Sequence, residues 1–90
     1  MYKIKKYSYD QAKPLGVEIR PSKNPEKKID VYKNGVYITS IGQIGFKDYP
    51  YYLEIDKQIA EVKRSAYHAR HKKYSKIVGS PSYYASRILW

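Results

Sequence analysis

The chain has 90 residues, 18 Lys/Arg against eight Asp/Glu, a formal charge of +10 and no cysteine. That length holds one small core, and the missing cysteines exclude disulfides, thiolate chemistry and cysteine-based zinc sites. No window approaches the ~20 apolar residues of a membrane span, and the basic N-terminus has no apolar run behind it, so the chain reads as soluble and not secreted.

The charge is uneven. Residues 1–33 sum to +5, residues 34–56 to −2 and residues 57–90 to +7. Two basic ends attract polyanions in a salt-dependent way. Twelve tyrosines stand beside one Phe and one Trp, and a flat ring carrying a hydroxyl suits a half-buried interface or a base-stacking surface.

In chain order, residues 1–14 are expected as a basic N-terminal arm or edge strand ahead of a single domain at 15–90. Val17 and Ile19 alternate with Glu18 and Arg20, the period of a half-buried strand. Asn34-Gly35 supplies the two positive-φ positions of a type I′ turn, so the surrounding residues form a hairpin. A two-residue loop pairs Lys33 with Val36, Tyr32 with Tyr37, Val31 with Ile38, Asp30 with Thr39 and Ile29 with Ser40. Ile29, Val31, Val36 and Ile38 are then assigned to the core. Gly42, Gly45 and Pro50 mark a turn region, without the Lys-Ser/Thr ending of a phosphate loop.

From about Glu54 to Tyr74, Ile55, Ile59, Val62, Ala66 and Ala69 form one apolar stripe at helical spacing, which is assigned to the core. Lys57, Arg64, His68 and His71 gather opposite, with Glu61 and Lys72 at the margin, while Arg70 lies at the edge of the apolar stripe. Ser80 and Pro81 open a short last helix, whose apolar edge includes Tyr84 and Ile88, and the closing Ile-Leu-Trp is expected to be docked. The fold class is therefore α+β: a small antiparallel sheet of a hairpin plus one or two strands, packed by a long amphipathic helix and a short C-terminal helix.

The pair His68/His71 lacks the further ligands a metal needs, and the surrounding cations oppose one. Neither histidine has the orienting partner of a general base, so no catalytic residue, metal or cofactor is expected, and no small-molecule substrate. Phosphate binding asks for less: Lys57, Arg64, His68, His71, Lys72, Lys73 and Lys76 are the candidate nucleic-acid-binding residues. No helix-turn-helix, zinc-finger or RNA-binding motif is present, so binding is expected to be electrostatic.

"YHARHKKY" followed by "GSPSYYASRILW", with "IGQIGFKDY" upstream, resembles the signature of a family of small basic proteins encoded by large DNA viruses and tailed bacteriophages. The resemblance covers roughly residues 27–90 and rests on Asp48, Tyr49, Arg70, His71, Leu89 and Trp90. It implies a viral origin and a compact fold in which Arg70-His71 packs against the final Trp90. Arg70, Tyr84, Leu89 and Trp90 are accordingly expected to form a structural clasp. Two functions follow as expectations. The first is a non-enzymatic protein associating with nucleic acid, DNA the favoured form, in or near the virion. The second is a minor capsid or cement-type virion protein facing the acidic surfaces of other virion proteins. The corresponding locations are the virion or the host cytoplasm or nucleus.

Overall fold

The computed structural model describes residues 2–90. Helix α1 (Lys6–Ala12) runs through a 3-10 turn (Lys13–Leu15) into strands β1 (Glu18–Pro21), β2 (Lys27–Lys33) and β3 (Val36–Gln43). Helices α2 (Tyr49–Leu53), α3 (Lys57–His71) and α4 (Pro81–Ile88) follow. The strands form an antiparallel sheet in the order β1-β2-β3, and the class is α+β, as the sequence pattern indicates.

The N-terminal segment is neither an arm nor an edge strand. Residues 6–12 are helical, and Ile4, Ser8 and Ala12, four apart, are buried. Lys6 and Asp10 form an i,i+4 pair on the wet side at 2.6 Å. The core gathers Ile4 and Ala12 beneath α1, Ile19, Ile29, Val31 and Ile41 from the sheet, and Tyr84, Ile88 and Leu89 from the last helical segment. Helices α1 and α4 thus cover the sheet, while α3 packs on α2 and α4. The long helix does not lie across the sheet.

The hairpin turn forms at Asn34 and Gly35, with φ of 52° and 78°, and Lys33↔Val36 and Tyr32↔Tyr37 pair as expected. One step further the register shifts: Val31 faces Thr39, Asp30 faces Ser40 and Ile29 faces Ile41. A bulge inserts Ile38, and one extra residue sends every later side chain of that strand to the opposite face. Ile41 therefore enters the core at 1 % exposure, whereas Ile38 stands 36 % exposed and Val36 is exposed as well. The expected core assignment holds for Ile29 and Val31 and fails for Val36 and Ile38.

The shifted register also aligns Asp30 with Ser40. The Asp30 carboxylate accepts from Ser22 Oγ and Ser40 Oγ, both at 2.6 Å, and from the Lys23 amide at 3.2 Å. Burial by itself raises the pKa of Asp30, but these donors outweigh it and hold the carboxyl below its usual range.

The bulge predicts opposite costs for two isoleucines. Ile41→Ala should destabilise by about 2–5 kcal/mol, as for a buried Ile. Ile38→Ala should cost less than about 1 kcal/mol. Urea denaturation of the two variants measures the difference, and the reverse order of costs would mean the regular register, which turns Ile38 to the core.

Candidate functional site

The C-terminal segment is held through its backbone. An α-helix leaves its last carbonyls without intrahelical partners, and here the last two of α4 and the backbone oxygens of the two residues after it each receive a tertiary donor. Gln11 Nε2 donates to Arg87 O at 3.3 Å and Ser8 Oγ to Ile88 O at 2.9 Å. The Tyr49 amide donates to Leu89 O at 3.0 Å and Arg64 Nε to Trp90 O at 2.9 Å, with Tyr7 Oη a longer second donor at 3.4 Å.

Around Trp90 the rings form a column. Its indole stacks on Tyr67 at 4.5 Å and 8°, and Tyr67 stacks in turn on His71 at 4.1 Å and 22°. Tyr52 meets the indole at 6.4 Å. The Arg64 guanidinium lies 4.2 Å from the centre of the Tyr49 ring and 3.4 Å from Glu61, whose other partner is the Tyr49 hydroxyl at 2.5 Å. That hydroxyl bond first, and then Arg64, lower the Glu61 pKa against burial. Burial first, and then Arg64, lower that of His68; the Trp90 backbone pulls the other way, and Arg87 and His71 add to the lowering.

Of the residues expected to form a clasp, Tyr84 and Leu89 are buried and Trp90 is held by Arg64, whereas Arg70 is exposed with no hydrogen bond or ion pair among the described residues. Arg64, His68 and His71, expected on a wet basic face, lie half-buried against the column. The physical reason is that they share a side of α3 with Ala60 and Tyr67, and a long stem or flat ring can be covered while its polar head stays bonded. The apolar stripe then turns outward: Ile59 and Val62 are 43 % and 68 % exposed. Lys72, Lys73 and Lys76 are exposed in the turns after α3, and Lys57 is exposed at its opposite end, about 20 Å away at 1.5 Å per residue. The seven residues expected to bind nucleic acid thus do not make one patch.

What the fold assembles instead is a cleft of about 540 Å³ between β3, α3 and the chain's last residues. Trp90, Tyr67 and Tyr52 supply its aromatic rings, Leu89, Ala85 and Gly42 also line it, and Lys47, Lys63 and Arg70 supply cations, with the His71 imidazole beside them. Among the described residues no Asp or Glu lines it. Lys47 and Lys63 sit 5.4 and 5.7 Å from the ring centres of Tyr51 and Tyr52, so aromatic surface and positive charge are already paired. Helical spacing explains α3's share: Lys63, Ala66, Tyr67 and Arg70 fall at i, i+3, i+4 and i+7. The sequence reading singled out neither Lys63 nor Tyr67, although this spacing groups them with Arg70; Lys47 and Tyr52 reach the cleft only through the fold.

A fourth cation is neutralised. Lys28 is buried, 2.9 Å from the equally buried Asp48, and also donates to the Phe46 carbonyl. Asp48 further accepts from Tyr2 Oη at 2.7 Å and caps α2 through the Tyr51 amide at 3.1 Å. Burial first, and then Asp48, push the Tyr2 phenol far up, so it stays a donor. Gly42 allows the approach: its φ is +75°, and a Cβ there would lie 2.7 Å from Leu89 and 2.9 Å from Lys28.

Compared with protein-family models, with curated proteins and with solved structures, the chain finds no match. No helix among the described residues is long and apolar enough to cross a membrane.

Two outcomes follow from this geometry. Asp48→Ala should cost about 3–5 kcal/mol by stranding a buried ammonium, and Lys28→Met in the same chain should recover part of it, both measured by urea denaturation. His68 binds a proton less readily folded than unfolded, so its contribution is complete above its ordinary value of 6.5 and falls as pH drops below that. In urea titrations across that window, His68→Gln should flatten the loss, leaving the decline at lower pH that comes from Asp30 and Glu61.

Proposed function

We propose that the protein is a non-enzymatic nucleic-acid-binding module that takes single strands in the cleft, stacking bases on the aromatic side and setting phosphates on Lys47, Lys63 and Arg70. The observation that carries this is the composition of the cleft: free cations and flat rings together, with no Asp or Glu among the described residues that line it. Base stacking on aromatic side chains is worth ~1–3 kcal/mol per base and is indifferent to sequence, while phosphate neutralisation adds a salt-dependent term. Exposed Lys72, Lys73 and Lys76, without ion pairs among the described residues, extend the positive field beyond the cleft. The aromatic lining favours a single strand over a duplex, whose bases are already stacked on one another. The setting we infer from the Arg70-His71 to Trp90 signature is viral, at the particle or its genome.

Trp90 is the single tryptophan, so its fluorescence reports the cleft directly. Oligothymidylate should quench it at low salt and bind more tightly than a duplex of equal charge. Lys47→Ala/Lys63→Ala/Arg70→Ala should weaken binding by at least about tenfold and reduce the salt slope by about 2, at ~0.7 per phosphate contact. A matched triple substitution at Lys3, Lys13 and Lys33 should do much less. Absence of quenching at low salt, or equal losses in the two triple variants, would sink the proposal.

A further inference from the structure

Helix α3 presents an apolar stripe that no other element covers. Ile59, Val62, Ala66 and Ala69, spaced three, four and three apart, are all exposed, and Ile55 stands 60 % exposed just ahead of them. The opposite side of the same helix is occupied by the Trp90 column, so turning the stripe inward would break the contacts of Arg64, Tyr67 and His71. A contiguous exposed stripe on a charged surface marks an interaction site.

The border of the stripe selects its occupant. At roughly 100° per residue, Lys63 and Arg70 follow one edge and Lys72 lies beyond the other, all exposed. The nearby carboxylates are engaged: Asp56 caps the helix through the amides of Gln58 and Ile59, and Glu61 is held by Tyr49 and Arg64. The unpaired charge beside the stripe is therefore positive. Two copies meeting stripe to stripe would set like charges together in a chain of net charge +10, which disfavours self-association.

We propose that this face docks an acidic amphipathic helix of another protein, with apolar anchors at i, i+3, i+4 and i+7 over Ile59 and Val62 and carboxylates reaching Lys63 and Arg70. The site goes beyond the nucleic-acid reading and meets it along Lys63, Ala66 and Arg70, which border the cleft and for whose two cations a docked acidic helix and a single strand compete.

The test uses two labelled designed peptides with the same leucine stripe, one flanked by glutamates and one by lysines, followed by fluorescence anisotropy. The glutamate peptide should bind and the lysine peptide should not. Ile59→Ser/Val62→Ser should weaken the glutamate peptide at least tenfold and leave oligothymidylate affinity unchanged, whereas Lys63→Glu/Arg70→Glu should weaken both ligands. Amide-resonance mapping on the wild-type protein, with shifts expected at Ile59, Val62 and Ala69, keeps the test independent of how the variants fold. Three results overturn the proposal: no binding of the glutamate peptide, equal binding of the lysine peptide, or sedimentation showing a dimer that the double serine variant abolishes. Loss of oligothymidylate binding alone would count against the cleft and not against this face.

Discussion

The carbonyls of Arg87, Ile88, Leu89 and Trp90 organise the molecule. Their donors come from α1, from the start of α2 and from α3, so three helices are oriented by the end of a fourth. Each of these bonds contributes only ~0.5–1.5 kcal/mol net, but leaving a buried carbonyl unpaired costs ~1–3 kcal/mol. The arrangement is therefore defined more by what it avoids than by what it gains. Ile88 and Leu89 can be fully buried because their backbone oxygens are satisfied on the way in.

That constraint has consequences for both surfaces of α3. Once Arg64 is committed to Trp90 and Tyr67 and His71 to the ring column, the rotation of α3 about its axis is set. Lys63 and Arg70 then turn to the cleft, and Ile59 and Val62 to the outside. The buried Lys28–Asp48 pair fixes the other side of the cleft. A buried ion pair is weak evidence for added stability, since desolvation offsets much of the attraction. Its geometric effect is clearer: Asp48 holds Lys28, Tyr2 and the first turn of α2 around one carboxylate.

The legible parts of the fold are those with a local cause. Asn34-Gly35 announces its turn because two successive positive φ values suit few other residue pairs. Ser80-Pro81 announces α4, and the Ser80 hydroxyl does accept from the Tyr83 amide at 3.1 Å. The period of α3 is equally plain. Which of its sides would be buried is not, because one is aliphatic and the other is built of Arg, Tyr and His, whose apolar stems and rings can also be covered. The bulge is hidden for a related reason: Ile38 and Ile41 are the same residue type, and nothing nearby says which the core will take. Helix α1 escapes notice because Tyr7, Ser8 and Tyr9 are middling helix formers, and its reason for being helical is Ser8 meeting Ile88. Of the cleft, Lys63, Tyr67 and Arg70 could be placed on one side of a helix; Lys47 and Tyr52 could not be joined to them.

By itself the sequence determined the excess of charge, the turn, the caps and the helical period, since each depends on residues within about one turn of one another. Tertiary structure alone decided the strand register beyond the bulge, the inward side of α3 and the membership of the cleft. The contacts that frame them, such as Arg64 to Trp90 across 26 positions and Tyr2 to Asp48 across 46, link residues whose proximity no local pattern encodes. A buried donor takes whichever acceptor the folded chain brings to it.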